Sequence, residues 1–251
     1  MNKPIHPLLL AALLLAFTAC SKGDDAFYYD GESSSKTETE QPSADAPLGE
    51  YEGSNNAQSF SAIATLYRNA NDEYYLQIDA DLRVYPANFK DLCPVPPTCP
   101  CRIVGDLTVF DREVGALGYY GLLDWFDFLE KGPVLNEIGD GKDGVDVLAD
   151  WMTSLEDGFL TLHFQAWWGF ETRRHEFRLV VGTNPDDPYE LLLVHNANRD
   201  PKSFQADALV YFDIENALPK PEDPAHTTVT LKWTNDAGQI QSRTFPYVGR
   251  Y

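Results

Sequence analysis

Basic residues are scarce in this chain. It holds 19 lysines and arginines against 39 aspartates and glutamates, for a formal charge of −20. So acidic a surface is repelled by phosphate backbones and anionic headgroups, and no nucleic-acid partner is expected. Long apolar runs are lacking after the first twenty residues, and Pro7 to Phe17 is about half the roughly 20 residues a membrane-spanning helix needs. Long amphipathic helical patterns are missing. The Gly-x-Ser-x-Gly elbow, a phosphate-binding glycine loop and His-Glu-x-x-His are missing as well. His163, His175 and His226 are isolated in sequence, so neither metal nor cofactor is expected.

Cysteine is sparse, with four in 251 residues, yet the first is informative. Residues 1–19 have the parts of a secretory signal: Lys3 near the amine, the apolar run, then small Thr18-Ala19. Cys20 follows at the position where lipoproteins carry their lipid, although Phe17 stands where leucine is usual. We expect lipidation at Cys20, with palmitate among its acyl chains, and stable anchoring because more than one chain is attached. Ser21 and Asp24-Asp25 resemble outer-membrane sorting and a surface-export tag. An outer-membrane lipoprotein is expected, with exposure at the cell surface as one reading.

Residues 20–57 read as a lipidated, disordered tether, because Ser33 to Pro42 is rich in acids and poor in aliphatics and cannot offset its ordering entropy. Beyond it, aromatic and β-branched residues are plentiful and turn residues recur at short intervals. The fold class is therefore all-β. Residues 58–139 offer strands at 62–67, 73–78, 82–85, 103–110 and 118–123. Leu122, Trp125, Phe126 and Leu129 fall at helical spacing before Gly132, so a short helical end is expected. Five short strands and a closing segment suit a small OB-type barrel. Gly139 to Gly144 reads as a flexible connector, and its spacing does not fit a calcium loop. Residues 144–251 divide into seven strands, at 145–152, 159–168, 173–182, 189–196, 205–214, 227–233 and 239–245, the size of an immunoglobulin-like β-sandwich without its cysteine signature.

Few residues point to chemistry. Cys93, Cys99 and Cys101 sit in a proline-rich stretch, where export favours a loop-stapling disulfide from Cys93 to either partner and one leftover thiol; a three-thiolate metal site lacks an evident fourth ligand. His195, Asn196, Asn198 and Asp200 cluster at a strand end, where loops bind ligands but where Asn and Asp also make turns. Of the adjacent Trp167 and Trp168, alternation turns one outward, where it can stack on a sugar or pack against the other domain; we take Trp167 as the surface candidate. Asp124 and Asp127 could be a glycosidase pair, but two carboxylates in so acidic a chain carry little weight.

The second block resembles a known family in Asp150-Trp151, in Asp157 to Phe164, in His175 to Val180, in Glu190 to Asp200 and in Tyr211 to Ile214. With the lipoprotein signal and the first β-domain, these residues look like the NigD-like lipoproteins of Bacteroidota. The resemblance implies an N-terminal OB-type domain and a C-terminal sandwich, and it implies no mechanism. The Cys93–Cys101 stretch has no counterpart in it. The function expected is that of a non-enzymatic envelope lipoprotein, held to the membrane by its lipid, that binds a protein or glycan partner. A glycan-capture module is the alternative, and a carboxylate-using enzyme of glycans ranks last.

Overall fold

The structure is a computed structural model that describes residues 57–95, 97–114, 118–170 and 173–250. The leader, Cys20 and nearly all of the tether lie outside the described residues. No described helix is long and apolar enough to cross a membrane.

Five strands close the barrel: β1 (Gln58–Arg68), β2 (Tyr74–Gln77), β3 (Arg83–Pro86), β4 (Cys101–Val114) and β5 (Gly118–Phe128). Their order is β1-β2-β3-β5-β4, with β4 returning to β1 and only β3–β5 parallel. This is the OB-type barrel the pattern predicts. Length explains how β1 bridges two neighbours: residues 58–66 pair with β4 while 65–68 pair with β2. Ala62, Ala64, Leu66, Leu76, Val84, Ile103, Leu107 and Leu123 fill the interior. A short helix, α1 (Phe89–Leu92), escapes the sequence reading and adds Phe89, which packs on Tyr74 and Phe126.

The expected helical end is corrected. Residues 122–128 continue β5, and the register jumps from Leu107↔Leu123 to Asp106↔Trp125. Asp124 is the extra residue of a β-bulge. One inserted residue breaks period-two alternation and mimics helical spacing, which is why the segment misleads.

The second half forms two sheets. One has the order β6 (Glu130–Lys131), β13 (Phe204–Asp213), β10 (Phe159–Trp168), β8 (Asp146–Val147), with β9 (Ser154–Glu156) also on β10. The other runs β15 (Ile240–Pro246), β14 (Thr228–Thr234), β12 (Glu190–Asn196), β11 (Glu176–Val181), β7 (Val134–Leu135). Leu160, Leu162, Phe164 and Ala166, in the predicted phase, meet Leu179, Leu191, Leu193, Val229 and Leu231 between the sheets. The β12–β14, β11–β7 and β13–β6 pairs are parallel, unlike the all-antiparallel sheets of the usual sandwich. The predicted strand at 145–152 shrinks to two residues, because Asp150 turns the chain by accepting the Met152 and Thr153 amides.

The reverse faces of β1 and β10 are buried too. Ile63 and Val104 of the barrel meet Leu129, Phe159, Leu209 and Tyr211 in a third apolar cluster. Both strands are thus covered on two sides, which gives their near-continuous buried runs.

The glycine-rich connector at 139–144 is docked rather than free. The Asp143 amide donates to the His195 carbonyl at 3.1 Å, and the Asp143 carboxylate accepts the Ala197 amide at 2.7 Å. Its glycines permit the approach: a Cβ on Gly141 would lie 2.5 Å from Val194, and one on Gly144 2.5 Å from the Asn235 carbonyl oxygen.

Candidate functional site

A chain of buried polar groups crosses one end of the sandwich. Alternation along β12 that puts Leu191 and Leu193 inside also puts His195 inside. Two residues before Phe177, which pairs with His195, the chain delivers His175. The loop after β12 is closed by Asn198 and Arg199, both left-handed (φ 52° and 62°), and brings Asp200 inward.

The geometry is linear. His195 Nδ1 lies 3.0 Å from the Gly144 carbonyl oxygen, His195 Nε2 lies 3.0 Å from His175 Nδ1, and His175 Nε2 lies 3.2 Å from Asp200 Oδ2. The Gly169 amide donates to the same Asp200 oxygen at 2.6 Å. Trp168 stacks on His175 at 4.1 Å and Phe177 on His195 at 4.4 Å. The side chains of His175 and Asp200 are 0% and 2% exposed.

Hydrogen-bond directions follow from one end. The Gly144 carbonyl can only accept, so His195 donates from Nδ1 and, when neutral, accepts at Nε2. Burial holds His195 neutral by lowering its pKa to about 4. His175 must then donate from Nδ1, and its Nε2 faces a carboxylate. A single proton therefore bridges His175 and Asp200. Burial lowers the basicity of His175, and the Asp200 carboxylate opposes that shift.

The four strand-end candidates share this corner but present little of it outward. His195 and Asp200 belong to the buried chain. Asn196 accepts the Asn198 amide at 2.9 Å as turn chemistry, and Asn198 donates to the Arg174 carbonyl at 2.6 Å, tying the loop to the segment before β11. Trp167 is half-buried and donates its indole N–H to Asp236 at 2.8 Å. The sequence reading misses His175, Trp168 and Gly144 as members. The available signal is a histidine in core phase on two strands.

Elsewhere, His163 is buried between Asp150 (2.6 Å) and Asp207 (3.9 Å). Cys93, Cys99 and Cys101 are present as thiols packed against the barrel core. Cys101 donates to Cys99, which lowers the Cys99 pKa and raises that of Cys101. Among the described residues no group of three or more His, Cys, Asp or Glu could hold a metal ion. A cavity of about 370 Å³ lies beside the histidine chain, walled by Glu130, Lys131, Pro133, Arg174, Phe177 and Arg178. Arg174 pairs with Glu130 and Arg178 with Glu176, so its charges are already engaged.

The fold defines the class, an all-β protein of an OB-type barrel followed by a two-sheet sandwich. Residues 129–247 match the family described as the NigD-like C-terminal beta sandwich domain, and the likeness to the NigD-like family drawn from the sequence holds. Solved structures share the fold. A protein of Parabacteroides distasonis described as a candidate toxin-related protein is 23% identical, with a TM-score of 0.58 over 76% of this chain and 94% of its own. A NigD-like immunity protein of Bacteroides caccae is 15% identical, with a TM-score of 0.52 over 73% and 91%. A Bacteroides fragilis protein described as a candidate lipoprotein is 13% identical, with a TM-score of 0.52 over 76% and 98%. No curated protein matches the chain.

Proposed function

We propose that this protein is a lipid-anchored component of the cell envelope that works by binding a partner. The observation that carries this reading is the internal commitment of its reactive side chains. His195, His175 and Asp200 are joined in one buried chain beneath Trp168, and His163 is held by Asp150. Such groups fix loops in place, and a general base instead needs an edge that substrate can reach. The lipid reading rests on Cys20 behind the leader, and the fold shared with a candidate lipoprotein supports it. Ser21 and the acids after it favour the outer membrane.

Replacing Cys20 with Ala and fractionating cells tests the anchor, and the variant is expected in the soluble fraction. Proteinase K on intact cells tests the face: loss of the sandwich without lysis places it outward. Turnover of any glycan, peptide or ester by the purified protein would sink the binding reading.

A further inference from the structure

The strongest unassigned feature lies on the barrel, on the outer face of β1, β4 and β5. Asp124 and Trp125 are consecutive, yet both are exposed, and Trp125 is 43% exposed. A regular strand would send them to opposite faces. The bulge at Asp124 brings them side by side, and bulges recur where a strand must re-aim a side chain. Gly105, across from the bulge, makes room: a Cβ there would lie 2.4 Å from the Trp125 carbonyl oxygen.

Two polar rows then hold these side chains. Ser61 donates to Asp106, and Asp106 accepts the Trp125 indole N–H with its other oxygen. Ser59 bonds Thr108 at 2.9 Å, and Thr108 donates to Asp124 at 3.0 Å. The Ser61–Asp106–Trp125 row crosses three adjacent strands in register, whereas the second row reaches the bulge residue Asp124 although Thr108 itself pairs with Leu122. The indole is thus tethered at its polar edge while much of its surface stays open to solvent. A tryptophan fixed this way gives up side-chain freedom while leaving a large aromatic surface in water, as a residue held ready for a ligand does.

We propose that this face is a binding platform for a neutral glycan. A sugar ring offers an apolar C–H face to stack on the indole, and its rim hydroxyls donate to Asp124 and Asp106. The two carboxylates supply acceptors, and their charge turns away uronates and sulfated sugars. The inference deepens the binding role proposed above and rests on it. It places the sugar-facing tryptophan at Trp125 and not at Trp167, whose indole is half-buried against Asp236.

Titration of the chain with cellohexaose, maltohexaose, xylohexaose and mannohexaose, followed by tryptophan fluorescence and calorimetry, tests the platform. At least one sugar is expected to bind. Trp125→Ala and Asp124→Ala should each weaken that binding tenfold or more, with far-UV circular dichroism unchanged, while Trp151→Ala, at another exposed tryptophan, should leave it intact. The platform is overturned if none of the four binds at millimolar concentration, if binding survives Trp125→Ala, or if hexalysine binds the face and the sugars do not. Chromatography of the same mixtures separates the two readings. A cleaved sugar would end the non-catalytic role and leave the platform standing, whereas absence of sugar binding ends the platform alone.

Discussion

Arg102, on a barrel strand and 0% exposed, reaches Glu156 of the sandwich at 3.2 Å. The guanidinium also donates to Thr65 of the barrel at 3.0 Å and to Thr161 of the sandwich at 3.3 Å. It stitches a junction that also contains the apolar contacts of Ile63, Val104, Phe159 and Tyr211 and the hydrogen bond from Tyr67 to Asp157 at 2.8 Å. Arg102→Ala removes the charge and leaves two buried hydroxyls and a carboxylate without their donor. The expected cost is about 3 kcal/mol in urea unfolding, with the two halves unfolding less cooperatively. A loss below about 1 kcal/mol would show that desolvating the arginine already offsets its bonds.

His195 makes the sandwich sensitive to acid. Its pKa is lowered from an ordinary value near 6.5 to about 4 by burial. The unfolded chain therefore takes up a proton on this side chain at a higher pH than the folded one. The associated stability is fully present above pH 6.5 and is lost as pH falls toward 4, to a total of about 3 kcal/mol. Urea midpoints measured from pH 7.5 to 4.5 should fall more steeply for the native chain than for His195→Gln, which can still donate to Gly144 but does not titrate. Parallel curves would place the acid sensitivity elsewhere.

Much of this architecture was legible because alternation reports burial. Leu160, Leu162, Phe164 and Ala166 point to the core as expected, and Asp157-Gly158 turns the chain with both residues left-handed. Reading failed where a local rule was broken for a reason visible only in three dimensions. The bulge at Asp124 disguised a strand as a helix, and the connector at 139–144 looked flexible because its glycines, needed for close docking, resemble a linker's. The strand-end cluster was found in sequence, but its partner His175 lies 20 residues from His195 and meets it through strand pairing. Distant pairing leaves no mark in a single sequence.

The thiols differ in reactivity. Cys101 donates to Cys99, which stabilises the Cys99 thiolate and disfavours that of Cys101. Since the thiolate is the nucleophile, Cys99 should be alkylated before Cys101. Brief iodoacetamide treatment at pH 8 and peptide mass mapping should find Cys99 modified well ahead of Cys101. Cys101→Ala should slow Cys99 by removing its donor. Equal labelling would mean that the thiols do not hold this arrangement in solution.

Two glycines separate space from conformation as constraints on this fold. Gly105 faces the bulge, where an added Cβ would stand 2.4 Å from the Trp125 carbonyl oxygen and 2.9 Å from the Phe126 Cβ. Backbone cannot swing aside as a side-chain tip can, so Gly105→Ala must part β4 from β5. The expected loss is about 2 kcal/mol, in the range of overpacked cores. Gly182 has a φ of +70° and nothing within 4 Å of where a Cβ would stand. Asparagine tolerates that left-handed conformation, so Gly182→Asn should cost no more than about 1 kcal/mol. If urea unfolding reverses this order, the close approach at Gly105 is not a tighter constraint on the fold than the left-handed backbone at Gly182.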